Sequence, residues 1–156
     1  MPFAFEDLDA RSLRECRILL DVDGTLVADG ASALADDVRL RLIALARTNA
    51  VFLHSNKQLD ARLHAFARAT GATPLIGAPR KPSRRIATLL PDDGRPLVVI
   101  GDKWMTDGWF ARRVGARFIR VQRKTSTRDP LIVWCLYALD DVFAVCRDAI
   151  ASARRH

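Results

Sequence analysis

In "LLDVDGTLV", residues 19–27, two carboxylates, Asp21 and Asp23, stand two positions apart at the end of an apolar run and are followed at once by Gly24 and Thr25. A third, Asp102, closes the apolar run "PLVVIGD", while Ser55 and Asn56 follow the run "AVFLH" and Lys81 lies in "PRKPS". Acids that converge on one point repel each other unless a hard divalent cation relieves them. Magnesium (Mg2+) suits such a place, because it takes oxygen ligands in near-octahedral geometry, with one or two carboxylates, waters and a substrate phosphate. Ser55, Asn56 and Lys81 would add hydrogen-bond donors and a positive charge for that phosphate. These parts together describe phosphoryl transfer, in which catalysis is mostly positioning and charge neutralisation. Gly24 lets the chain turn sharply after the run, and Thr25 can hydrogen-bond locally to fix the turn.

The elements that must position these residues follow from the hydrophobic pattern. "CRILLDV" reads as a buried strand and "ALADDVRLRLIALARTN" as an amphipathic helix with Leu34, Val38, Leu42 and Leu45 on one stripe. "AVFLHS" is the next strand and "QLDARLHAFARATG" the next helix, closed by Gly71. A short strand and loop at "TPLIGAP", a short helix at "SRRIATLLP", a strand at "PLVVIGD", a helix at "MTDGWFARRVG" and a strand at "RFIRV" complete the series. Strands alternating with helices of this length predict an α/β fold of three layers, Rossmann-like, with a mostly parallel sheet covered on both faces. In such sheets the ligand crevice lies at the carboxyl ends of the strands, beside the switch in strand order. Asp21, Asp23, Ser55, Asn56 and Asp102 all fall at that rim, and the whole of 1–156 is expected to form one domain.

In this order, "DVDGT", "HSN", "RKP" and "GDKWMTD" resemble the four motifs of the haloacid dehalogenase (HAD) superfamily of aspartate-nucleophile phosphatases, over about Leu19 to Val121. The resemblance implies that Asp21 attacks phosphorus, and that Asp23 protonates the leaving oxygen and then activates the hydrolytic water. It implies that Asp21, Asp102 and the backbone carbonyl of Asp23 hold Mg2+, that Ser55 and Lys81 bind phosphate, and that Asp107 is an outer or water-mediated partner of the metal. For that division of labour, Asp21 must stay ionised while Asp23 holds a proton, which requires surroundings that push the two pKa values apart.

About 30 residues separate Asp23 from Ser55 and about 25 separate Ser55 from Lys81, and one helix with its adjoining strand or loop fills each interval. No cap domain is therefore expected. Among capless relatives the form G-D-x-x-x-T-D is most similar to the YqeG-like IIIA branch, which implies a phosphorylated lipid headgroup, phosphatidylglycerophosphate for instance, or another small phosphorylated metabolite. The chain departs from that branch at Gly24, where the branch often has Asn before Thr, in "HSNK" and at Lys103.

Other readings of the same residues are weaker. A calcium loop at "DVDGTLVADGAS" fails because its sixth residue is Leu26 and its twelfth is Ser32. A receiver domain does not have the Ser55, Lys81, Asp102 order. A phosphate-binding or regulatory module that has lost turnover remains the main rival. Cys16, Cys135 and Cys146 form no C-x-x-C pair and read as buried free thiols in a reducing, cytoplasmic setting. The 25 Lys and Arg against 18 Asp and Glu give a net charge of +7, which favours an anionic partner. No nucleic acid is expected. Asp129 and Pro130 read as the start of a C-terminal helix over about 130–151, with Leu131, Cys135, Leu139, Val142, Phe143, Cys146 and Ile150 as a core stripe. Its second apolar face calls for cover by the domain or by a homodimer, and Arg120, Arg123, Lys124 and Arg128 leave peripheral contact with a membrane open.

Overall fold

The computed structural model of the chain describes residues 2–57, 59–126, 135 and 138–143. Five parallel strands form one sheet: β1 (Arg17–Asp21), β2 (Ala50–His54), β3 (Thr73–Pro74), β4 (Leu97–Gly101) and β5 (Arg117–Arg120), in the order β3-β2-β1-β4-β5. The α/β, Rossmann-like class is as expected, with every pairing parallel.

Strand side chains alternate between the two faces, and the two cores of the protein follow from that alternation. Ile18 and Leu20 of β1 join Val51, Leu53, Val98 and Ile100 in one core, which helices α1 (Asp36–Ala46) and α2 (Asp60–Thr70) cover through Val38, Leu42, Leu45, Leu63 and Phe66. Leu19 faces the other way, with Phe52 and Val99, and is covered by Ile86 and Leu90 and by Phe110 and Ala111 of α3 (Trp109–Val114). Gly71 ends α2 with φ +78°, the left-handed conformation that glycine adopts without a Cβ penalty.

Two helical segments differ from the sequence expectation. The stretch at "SRRIATLLP" is a 3₁₀ turn over Arg84–Leu89, its first N–H groups met by Ser83, whose Oγ accepts from Arg85. The helix expected over "MTDGWFARRVG" opens as a π-helical turn, Trp104–Gly108, before α3 begins. Asp140 explains where that turn starts: its carboxylate accepts from the backbone N–H groups of Trp104 (3.0 Å) and Met105 (2.7 Å), donors that a helix start otherwise leaves open.

The C-terminal stripe is corrected in part. Residues 138–143 are helical, but Cys135, Leu139, Val142 and Phe143 are exposed, so these members are not core contacts, and Cys135 is not a buried thiol. The buried residue of that segment is the acid Asp140, held by Arg120 and Arg123. Leu131, Cys146, Ile150 and Arg128 lie outside the described residues. Among those described, no helix is long and apolar enough to cross a membrane.

Candidate active site at the carboxyl rim of the sheet

The strand order reverses between β1 and β4, and both strands end in an acid. Asp21 is the last residue of β1 and Asp102 follows β4 directly. After Asp21 the chain folds tightly back: Gly24 N–H donates to Val27 O (2.8 Å), and the N–H groups of Leu26 and Val27 return to Val22 O. Gly24 has φ +88°, and a Cβ there would lie 2.7 Å from Asp102 Oδ2. Glycine is thus needed twice over, for the turn and for the approach of Asp102. Gly101 does the same for Asp107, whose carboxylate fills the space a Cβ would take.

The structure brings Asp21, Asp102 and Asp107 together. One carboxylate oxygen from each lies within 4.8 Å of the others, and all three side chains are buried. Lys81 is inserted among them: its Nζ contacts Asp21 Oδ1 and lies 2.5 Å from Asp107 Oδ1. Thr25 Oγ1 lies 3.2 Å from Asp21 Oδ2 and 3.4 Å from Asp102 Oδ1, so its single proton links the two acids. Asp107, expected as an outer partner, is a full member of the cluster.

Lys81 is held in place by the end of β2. His54 Nε2 donates to Pro79 O (2.9 Å), Asn56 Oδ1 accepts from the Lys81 backbone N–H (2.8 Å), and Asn56 Nδ2 lies 3.4 Å from Lys81 O. Asn56, expected to bind phosphate directly, here fixes the lysine that would do so.

Asp23 turns away from the cluster. Arg62 Nη2 lies 2.8 and 2.7 Å from its two carboxylate oxygens, Ser55 Oγ donates to Oδ2 (2.5 Å), and Gly30 N–H donates to Oδ1 (3.2 Å). Ser55, expected to face phosphate, is likewise engaged with Asp23. Only the backbone carbonyl of Asp23 faces the acids, and Lys103 Nζ lies 3.2 Å from it.

The electrostatics separate the two acids of the opening motif, in the direction opposite to the one the expected roles require. Burial, opposed by the charge of Lys81 and reinforced by Asp107, pushes Asp21 up to about 7. Burial also works to raise Asp23, but hydrogen bonds from Arg62 and Ser55 outweigh it and hold the carboxyl below its ordinary value. Lys81 is itself raised: burial opposes its charge, and Asp107 and Asp21 more than compensate. The cause of the reversal is geometric. Asp21 shares one ammonium with a second buried acid, while Asp23 has a guanidinium and a hydroxyl of its own.

The donor set of the cluster is all oxygen and suits a hard cation. Asp107 is fully buried within it, with Lys81 Nζ 2.5 Å from its Oδ1. Further cations close the site. Arg123 Nε donates to Asp102 Oδ2 (2.6 Å), Arg120 Nε donates to Asp102 O (3.1 Å), and Lys124 pairs with Glu6. Three of the four basic residues considered for a membrane surface therefore have partners inside the fold.

Arg62, Lys103, Arg123 and Asp140 were not predicted as site residues. For Arg62 a signal existed: it lies on the face of α2 that buries Leu63, Phe66 and Ala67, and an arginine on an apolar stripe needs a partner. For Arg123 and Asp140 spacing gave none. A concavity of about 540 Å³ lies at the opposite end of the strands, beside Arg14, Arg47 and Arg95, away from all of these acids.

Comparisons with protein-family models, curated proteins and solved structures found no match.

Proposed function

We propose that the protein is a Mg2+-dependent phosphomonoester hydrolase of the HAD type, working through a phosphorylated Asp21. The observation that carries this reading is the buried Lys81 ammonium set between Asp21 and Asp107, with Asp102 beside them, at the switch point of a parallel sheet. Asp21, Asp102 and Asp107, with the carbonyl of Asp23, would hold the metal. Bound there, it would neutralise charge on a phosphoryl group and keep Asp21 ionised.

The chain's own residues then divide the work. A carboxylate oxygen of Asp21 forms a bond to phosphorus as the ester oxygen leaves, and Lys81 neutralises charge on the transferring group. The leaving oxygen takes a proton from Asp23. In the second half, water attacks the phosphorus of the aspartyl phosphate and gives a proton to Asp23; the bond to Asp21 breaks, and phosphate departs. Asp23 must exchange Arg62 for a proton and the leaving group before it can serve as acid, so Arg62 and Ser55 define its resting position. The substrate is a phosphorylated small molecule or lipid headgroup.

The test is phosphate release from phosphatidylglycerophosphate, sugar phosphates, nucleotides and phosphopeptides, with Mg2+ and with chelator. Release should depend on Mg2+ and fall by about 10³-fold or more in Asp21→Asn. No release from any of them, or undiminished release in that variant, would reject the reading. The Asp23–Arg62 pair favours one second reading, a phosphate-binding or regulatory module without turnover. That reading requires tight binding of a phosphate mimic with no hydrolysis.

A further inference from the structure

We infer that Lys103 is a tethered counter-ion occupying the cation position of the acid cluster, and that a divalent metal binds only by displacing it. This rests on the metal site proposed above. Lys103 Nζ lies 3.2 Å from the carbonyl oxygen of Asp23 and 3.3 Å from both carboxylate oxygens of Asp102. Those oxygens come from the ends of β1 and β4, on the two sides of the switch point, and the ammonium bridges them. An ammonium is a compact, strongly hydrated charge with three donors, the side-chain group that most nearly stands in for a small cation.

The cations already at the acids show what a metal would meet. Lys81, Lys103 and Arg123 touch Asp21, Asp102 and Asp107, and Arg123 also pairs with Asp140 and Asp141. A divalent ion entering this buried place is repelled by the ammonium that already lies on its oxygen ligands, so that one cation has to go. The side chain of Lys81 is 1% exposed and lies 2.5 Å from Asp107, and that of Arg123 is 10% exposed and lies 2.6 Å from Asp102. Lys103 is 29% exposed, and its contacts to these acids are longer. Its flexible stem lets the ammonium regain water without moving the backbone that carries Asp102. Lys103 is thus the cation that can leave, and its position sets how tightly a metal is held.

The experiment is direct binding of Mn2+, read by electron paramagnetic resonance of the free ion, to the full chain as wild type, Lys103→Met and Lys103→Arg. Lys103→Met keeps the stem and removes the charge. It should bind Mn2+ roughly tenfold to a hundredfold more tightly, the factor by which a charge-assisted hydrogen bond commonly weighs in an equilibrium, and Lys103→Arg should stay near wild type. Wild type alone gives a second measurement: acylation of Lys103, followed by peptide mass spectrometry, should quicken when Mg2+ is added. Equal or weaker Mn2+ binding in Lys103→Met, or acylation unchanged by a bound metal, would overturn the displacement while leaving the hydrolase reading intact. No Mn2+ bound by any of the three proteins would overturn both.

Discussion

Acid should destabilise this protein through His54. The imidazole is 1% exposed; Nε2 donates to Pro79 O, and Nδ1 is buried without a hydrogen bond. Burial first, and then the charge of Lys81, push its pKa from the ordinary 6.5 down to about 4, against an upward pull from Pro79. The unfolded chain therefore takes up a proton near pH 6.5 that the folded chain refuses until about pH 4. Between those values the unfolded state binds more protons, so this contribution leaves stability intact above 6.5 and erodes it as the pH falls. At about 1.4 kcal/mol for each tenfold difference in proton affinity, the loss approaches about 3 kcal/mol at its full extent, a large part of the total for a domain of this size. Urea unfolding in steps from pH 7.5 to 4.5, on wild type and His54→Gln, isolates the effect. The glutamine keeps an N–H for Pro79 but cannot titrate, and the carboxylates common to both proteins largely cancel. The stability advantage of wild type over the variant should shrink by roughly 2–3 kcal/mol across that range. Parallel curves would refute the reasoning, because they would mean that His54 is protonated as readily in the folded chain as in the unfolded one.

Other perturbations test other contacts. Gly24→Ala places a Cβ against Asp102 in a left-handed backbone and should cost about 1–3 kcal/mol in urea unfolding, with weaker Mn2+ binding. Arg62→Met strands a buried carboxylate and should cost about 3–5 kcal/mol; adding Asp23→Asn should restore much of it, and a double variant no more stable than the single would count against the pairing. Asp140→Ala removes the acceptor of two backbone N–H groups and should cost about 1–3 kcal/mol in thermal unfolding. Amide exchange at Trp104 and Met105 should quicken in that variant, and unchanged protection would show that the turn holds without it.

The sheet was readable because each strand is a short apolar run ending in a polar residue. Runs such as 16–22 and 96–102 needed only their ends trimmed to become Arg17–Asp21 and Leu97–Gly101. Helix lengths were less readable. The stripe beginning at Leu34 carried the expected helix back to residue 33, whereas α1 starts at Asp36 after an extended Ala35. The π-helical turn could not be read at all, since its start depends on Asp140, 36 residues from Trp104. The acids and Lys81 were found because motif order placed them at one rim. Their pairings were not, because many arginines and lysines of similar local context compete for each carboxylate, and only the fold decides that Arg62 meets Asp23 and Arg123 meets Asp102.

The pairing of β1 with β4 bears on how the molecule is assembled. Arg17 lies opposite Leu97, and the register runs on to Leu20 opposite Ile100, so the middle of the sheet closes only after a long stretch of intervening chain has been gathered in. Such closures carry the main entropic cost of parallel topologies and delay folding. The same event draws Asp102 up to Asp21, so like charges meet at the moment the central strands join. Partly folded forms that stop short of this step lack the cluster altogether, which makes its formation a marker of the completed native state.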